Sequence, residues 1–347
     1  MPSNPNSSGR EIVVVICVLL TIAAGYLMFS SGSGQDDALV VYCAHDSVFS
    51  ERVLRKFEQD TGIKLKIRFD TEATKSLGLV NQLVREKDHP RCDVFWNNQV
   101  LGTMQIQEQG ILLPYQGSGF DRIPDGLKDP DGHWVGFGAR LRVYIVNTDK
   151  MEATEAAVAE AEKGNLSRMA IAKPLYGTTL SHFSLMWQQR GEAGMKKWHA
   201  DLRKRDVQVV NGNATVKNLV ADGVCDWGWT DTDDYFVAAD DNKPVTMLPI
   251  RVADGKTICM PNSVAIIRGT PRLTKAQRLV DFLLSEENEI ELAKSKARQI
   301  PLGPVDETQL SEDVRKLKTW AADAYDITGL SAARMECLNW LKSEYLQ

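Results

Sequence analysis

The densest cluster of reactive side chains in this 347-residue chain is Thr230-Asp231-Thr232-Asp233-Asp234-Tyr235, which follows the apolar Trp227-Gly228-Trp229. Three carboxylates within four residues need solvent, a cation or hydrogen-bond donors. The cluster fails as a calcium loop: with Asp231 as position 1, position 6 is Phe236, where the EF-hand turn needs Gly. Two readings stand, a solvated turn capping the next helix or an acidic loop facing a ligand. Other turns carry polar groups beside small residues: Tyr42-Cys43-Ala44-His45-Asp46-Ser47, Gly177-Thr178-Thr179 and Asn211-Gly212-Asn213. Each sits at or next to the start of a helix-patterned segment. Helix N-termini present unpaired N–H groups and a positive dipole end, which suits an anion. The plain alternative is N-capping, for which Ser, Thr, Asn and Asp are the usual residues. Asp70-Thr71-Glu72 and Asn97-Asn98-Gln99 also follow strand-like runs and are expected to face the same cleft.

Signatures of catalysis fail. The sequence contains neither HExxH nor GxSxG, and Gly255-Lys256-Thr257 resembles the end of a P-loop only until Ile250, where the first Gly belongs. His182 beside Ser181, and His45 beside Asp46, make no triad. Five His and six scattered Cys, with no CxxC pair, argue against a zinc module. The net charge is −5, without a basic stripe, which argues against general nucleic-acid binding. No resident cofactor is expected.

The elements that must position these residues alternate in type. Leu39–Tyr42 is a short buried-type strand, Ser47–Asp60 has helical periodicity, and residues 63–69 alternate as a strand. Thr74–Lys87 reads as a helix, Cys92–Trp96 as a strand and Val100–Gln109 as a helix stopped by Gly110. After a loop-like stretch at 121–134, a second series follows: strands at 141–147, 169–172, 207–210 and 226–230, and helices at 152–162, 178–189, 194–205 and 214–221. Thr257–Ile267 is extended, and helices dominate from Lys275 onward. Such alternation predicts two α/β blocks with mainly parallel sheets. Ligands in open α/β folds bind at the carboxyl ends of strands, where the polar turns lie.

Ile12–Phe29 holds eighteen residues without a charge, preceded by Arg10 and followed by Ser30-Ser31-Gly32-Ser33-Gly34. It reads as a cleaved signal peptide or as an uncleaved transmembrane anchor, and its length exceeds a usual signal h-region, favouring the anchor. Either way the body is exported, to the periplasmic or extracellular face. The five Cys of the body, Cys43, Cys92, Cys225, Cys259 and Cys337, read mainly as buried single thiols.

Taken in order, several segments resemble the ferric-iron type of extracellular solute-binding protein that serves ABC importers. They are Leu39–His45, Phe57–Leu83, DVFWNNQ at 93–99, EQGILLPY at 108–115, Pro174–Thr179, Asn211–Asn213, TDTDD at 230–234, Pro261–Val264 and Gln299–Leu302. The resemblance implies a type II periplasmic-binding-protein-like fold: two α/β lobes, joined by two crossover strands, with the ligand between them. It implies lobe 1 over 36–138 and 262–305, lobe 2 over 139–261, and C-terminal helices over 306–347 packed on the lobes. The implied partners are an importer permease and ATPase, with the chain a monomer that binds without catalysis. Relatives use a His, a Glu and two adjacent Tyr for Fe³⁺; these positions fall at Asp46, Asn98, Asp233 and Asp234, with His45 and Tyr235 adjacent. The implied ligand-binding set is His45, Asp46, Ser47, Glu72, Asn98, Gly177, Thr178, Thr179, Asn213, Asp231, Asp233, Asp234 and Tyr235. Of these, Asp46, Asp233 and Asp234 are expected to hold a hard cation such as Fe³⁺. The same carboxylates suit an amine or hydroxyls on an organic ligand, and the helix starts suit a phosphate, phosphonate or carboxylate. A membrane-anchored sensor built on the same lobes is a further alternative.

Overall fold

The computed structural model describes residues 37–70 and 77–346. The apolar segment Ile12–Phe29 and the candidate ligand Glu72 lie outside them. Among the described residues no helix is long and apolar enough to cross a membrane.

The first half begins with β1 (Leu39–Cys43), whose apolar run is buried between helical layers. It pairs in parallel with β2 (Leu65–Phe69) and β3 (Val94–Asn97). Helix α1 (Ser47–Thr61) connects the first two strands and buries Val53, Leu54 and Phe57. It stops at Gly62, whose φ of 72° lets its N–H cap the Glu58 carbonyl. Helices α2 (Leu77–Arg85) and α3 (Leu101–Glu108) and the short β4 (Leu112–Leu113) complete this half.

The chain then enters β5 (Val135–Asn147), followed by α4 (Glu155–Ala161), β6 (Met169–Ala172), α5 (Gly177–Lys204) and β7 (Gln208–Val210). Next come α6 (Asn213–Ala221), β8 (Trp227–Asp231), α7 (Thr232–Asp240) and β9 (Val245–Pro249). Strand β10 (Cys259–Ile267) returns to the first half, ahead of α8 (Leu273–Leu283), α9 (Glu286–Lys294), α10 (Glu312–Ala321) and α11 (Ser331–Tyr345). The strand order is β2-β1-β3-β10-β5-β8-β6-β7, with β4 on β10 and β9 on β5.

Strands β5 and β10 are the crossovers. The first part of β5 pairs antiparallel with β10, and its second part, from Arg142, pairs with β8 and β9. The β5–β10 register slips between Pro261 and Asn262. The result is the expected two-lobed α/β architecture, with the polar turns of both halves meeting beside the crossover strands.

Several elements differ from the sequence pattern, among them the two-residue β4, which had no strand signal. Strand β5 starts at Val135, six positions before the expected Leu141, because Gly136 and Gly138 interrupt the apolar run. Those glycines answer to crowding: a Cβ on Gly136 would meet the Leu127 carbonyl at 2.5 Å, and one on Gly138 (φ +44°) the Gln299 side chain at 2.7 Å. Strand β9 carries a short mixed run that gave no strand signal. The two helices expected at 178–189 and 194–205 form one element bent at Gly191, whose φ of 67° breaks the helical path.

Helix α11 packs on α5, with the Trp340 ring tilted by 35° against Trp187 at 5.4 Å and the Tyr345 hydroxyl 2.7 Å from His199 Nε2. It also reaches α3, where Arg334 donates to Gln105.

Candidate functional site

A cavity of about 240 Å³ lies where the two lobes face one another. Its walls come from the β1–α1 turn (Asp46, Phe49), the end of β3 (Asn98), β5 (Arg140), the starts of α5 and α6 (Gly177, Thr178, Thr179, Asn213) and the β8–α7 turn (Asp231, Asp233, Asp234). Nine residues expected from sequence therefore share one cleft: Asp46, Asn98, Gly177, Thr178, Thr179, Asn213, Asp231, Asp233 and Asp234.

Asp231 is the hub. It is 4% exposed and accepts from Arg142 Nη1 at 2.7 Å, the Thr178 hydroxyl at 2.6 Å, Asn213 Nδ2 at 3.0 Å and Arg140 Nε at 3.3 Å. Burial by itself raises this carboxyl's pKa; the Arg142 and Arg140 guanidiniums and the Thr178 hydroxyl outweigh it and hold the group below its ordinary range. Its oxygens are thus committed to the protein. Asp233 and Asp234 sit in the first turn of α7, where the helix dipole favours negative charge. Asp233 accepts from the Asp234 N–H at 3.1 Å and lies 3.7 Å from Arg140 Nε; Asp234 accepts from the Thr230 hydroxyl at 3.1 Å. One oxygen from each of Asp231, Asp233 and Asp234 falls within a 4.8 Å cluster.

Two buried arginines on β5 complete the site. Arg140 and Arg142 are two residues apart on a strand, so both reach the same face. Arg140 donates Nη2 to the Asn98 carbonyl of the first lobe at 2.7 Å, while its Nη1 is buried with no hydrogen-bond partner. The Asn98 Oδ1, also in the cleft wall, is likewise unpartnered. Burial alone would lower the Arg140 pKa, but Asp233, Asp231 and Asp46 together raise it, so the cation is held firmly. Lys173 and Lys217 add positive charge to the walls. At the starts of α5 and α6 the first N–H groups have no intrahelical acceptor and are available to an anion.

Three expected residues are placed elsewhere. His45 is 3% exposed and packs under the cleft floor against Trp96 and Phe49, with Nε2 2.5 Å from the Gln299 amide nitrogen. The imidazole is drawn into the lobe core, where Gln299 meets its Nε2, while the adjacent Asp46 takes the cleft position. Ser47 is exposed on the first turn of α1, outside the cleft wall. Tyr235, one helical step beyond Asp234, is carried to another face of α7 and packs on Phe236 at 5.2 Å. The sequence reading missed Arg140, Arg142, Lys173, Tyr176 and Lys217. The available signal was the spacing of Arg140 and Arg142 in an otherwise apolar strand, which requires a buried counter-charge from another segment.

The five Cys of the body are buried and free, so no Cys225–Cys259 bridge forms.

Among proteins of known identity, an Fe(3+)-binding periplasmic protein of Serratia marcescens is 22% identical over 214 residues, 60% of this chain and 62% of that protein's length. Iron-bound HitA from Pseudomonas aeruginosa superposes with a TM-score of 0.75 at 18% identity, covering 88% of this chain and 99% of that one. AfuA from Actinobacillus pleuropneumoniae, solved with fructose-6-phosphate bound, gives a TM-score of 0.73 at 22% identity, covering 88% and 98%. These likenesses establish the two-lobed fold. The model of the bacterial extracellular solute-binding proteins matches residues 52–322, and the chain belongs to that family.

Proposed function

We propose that this chain captures ferric iron in its interlobe cleft and delivers it to the permease and ATPase of an ABC importer, binding without catalysis. The observation that carries the reading is the convergence of Asp46 from one lobe with Asp233 and Asp234 from the other on a single cleft. Carboxylate oxygens are suitable donors for a hard trivalent cation. The likeness to ferric-binding proteins of Serratia and Pseudomonas supports the same cargo. Because Asp231 is committed to two guanidiniums, the metal would rest on the other three carboxylates. Arg140 Nη1 and the helix starts would then hold an oxyanion that accompanies the metal. Residues 12–29 would tether or export the chain. The lobes would comprise 36–138 with 262–305, and 139–261, with 306–347 packed on both.

One observation favours a second reading. The cleft wall contains Arg140, Lys173, Lys217, Thr178 and Thr179 beside two helix N-termini, a donor set suited to phosphate. The adjacent phenol pair of the ferric-binding relatives is absent at Asp233 and Asp234, Tyr235 faces elsewhere, and the cleft wall carries a single phenol, Tyr176, from the start of α5. A phosphorylated organic solute, of the kind bound by AfuA, would place its phosphate there and its hydroxyls on the carboxylates.

Native mass spectrometry of the full chain, purified without chelator and then exposed to ferric citrate, separates the readings. A bound iron mass that disappears in the Asp233→Ala, Asp234→Ala double variant supports the ferric site. Failure to retain iron overturns it, and a retained phosphate-containing organic mass establishes the second reading.

A further inference from the structure

We propose that the second lobe carries a ligand site of its own, separate from the cleft, which takes a small planar aromatic carboxylate. A cavity of about 480 Å³ opens in the angle of α5, beside β5 and β8, and shares no wall residue with the interlobe cleft. The bend at Gly191 shapes it: His182, Met186 and Arg190 enter from the first segment of α5, Trp198 and Leu202 from the second, and Arg205 from the residue that caps it.

Its walls are aromatic. Trp198 and Trp229 lie parallel within 3° at 6.0 Å between centroids, His182 lies 4.7 Å from Trp229, and Tyr144 lines the opposite strand. Flat rings are the shape such walls accommodate. The walls also hold unanswered polar atoms. His182 Nδ1 and Trp229 Nε1 are buried without a hydrogen-bond partner, although their residues are 2% and 5% exposed. An indole N–H can only donate, so it calls for an acceptor on the occupant. Buried polar groups in native proteins are nearly always paired, and two unpaired ones in a single cavity point to a ligand.

Charge selects an acid. Lys163, Arg190, Arg205 and Arg251 line the cavity against one carboxylate, Glu162. Glu162 is engaged by the Tyr144 hydroxyl at 3.2 Å, and three of the four cations have carboxylates outside the cavity: Lys163 pairs with Glu160 at 2.8 Å, Arg205 with Asp201 at 2.9 Å and Arg251 with Glu155 at 3.4 Å. Arg190 is in no ion pair among the described residues; its guanidinium lies 5.4 Å over the Trp198 ring, at the cavity's edge. A carboxylate on a ring laid against the indole walls would meet this guanidinium, and its acceptor oxygens or a ring heteroatom would meet Trp229 Nε1.

The test is isothermal titration calorimetry of the full chain with benzoate and indole-3-carboxylate, with benzamide as the neutral counterpart. One acid molecule is expected to bind per chain, about tenfold or more tighter than benzamide, as one charge-assisted contact provides. Arg190→Gln, at an exposed position, should erase that preference. Trp229→Phe, which keeps a ring but removes the donor, should weaken acid binding about tenfold. Asp233→Asn in the cleft should leave it unchanged. The proposal is overturned if neither acid binds, if both Arg190→Gln and Trp229→Phe bind as the parent does, or if Asp233→Asn abolishes binding, which would locate the acid in the cleft.

Discussion

Replacing Asp231 by Asn should produce a large stability loss for a change of one atom. The carboxylate is 4% exposed and is flanked by Arg142, itself fully buried, and Arg140, also 4% exposed. Removing one partner from a buried ion pair leaves an uncompensated charge and costs about 3–5 kcal/mol. Here the loss strands Arg142, while Arg140 keeps Asp233 at 3.7 Å, and the new amide would turn an N–H toward donors already placed by Thr178 and Asn213. With a melting entropy of about 2.1 cal/mol/K per residue, a body of this size should melt about 5–8 °C lower. Differential scanning calorimetry of Asp231→Asn beside Asp226→Asn gives the comparison. Asp226 pairs with the half-exposed Arg168 at 2.7 Å, and such surface pairs contribute roughly 0–1 kcal/mol. Adding Arg142→Met to Asp231→Asn should recover part of the loss, because it removes one stranded charge. If Asp231→Asn melts with Asp226→Asn, the hub is not holding the arginines and the reasoning fails.

Two further outcomes follow from the same chemistry. Because the Asp231 pKa is depressed on folding, its contribution is fully present above the unfolded carboxyl value of about 4 and is lost as pH falls through the folded value. Chemical denaturation from pH 6 down to 2 should therefore show a steeper acid decline in the parent than in Asp231→Asn, and parallel curves would contradict this. The body thiols should be inert in the native state, since burial pushes Cys43, Cys259 and Cys337 up to about 12 and Cys225 to about 11. Ellman's reagent at pH 8 should find almost none before denaturation and all six Cys of the full chain afterward; a denatured count of four would mean that a disulfide exists.

The fold was legible where apolar runs were uninterrupted. Leu39–Cys43 and Met169–Ala172 are buried on both faces, and the helix at Ser47–Thr61 keeps Val53, Leu54 and Phe57 on one stripe. It was illegible where tertiary crowding chose the residue. The first turn of β5 looks like a loop because Gly136 and Gly138 stand where the neighbouring chain leaves no room for a Cβ. The bend in α5 looks like a helix end because Gly191 carries a left-handed φ, yet the chain resumes its helical path at once. Local pattern reports a strand or helix; it does not report that a third segment presses against it.

The site was half legible for a related reason. Polar turns at strand ends announce themselves locally, and they converge because the parallel strands of each half, β1 with β3 and β6 with β8, send their carboxyl ends to one side, although the crossover strands pair antiparallel and make the whole sheet mixed. The arginines do not, since a strand reading ARLRVYIVN is dominated by its apolar residues. Yet a guanidinium in a fully buried strand needs a counter-charge, and the acidic turn is the segment with charge to spare. That pairing divides the cluster. Asp231, the last residue of β8, lies opposite Arg142 in the β5–β8 register and is consumed by the crossover strand. Asp233 and Asp234, two and three residues later on α7, are turned toward the opening, with Asp46 across from them. A cluster that appears in sequence as one acidic loop therefore has two jobs set by the strand-to-helix boundary. Its first carboxylate fixes the arginines, and its last two line the cleft wall.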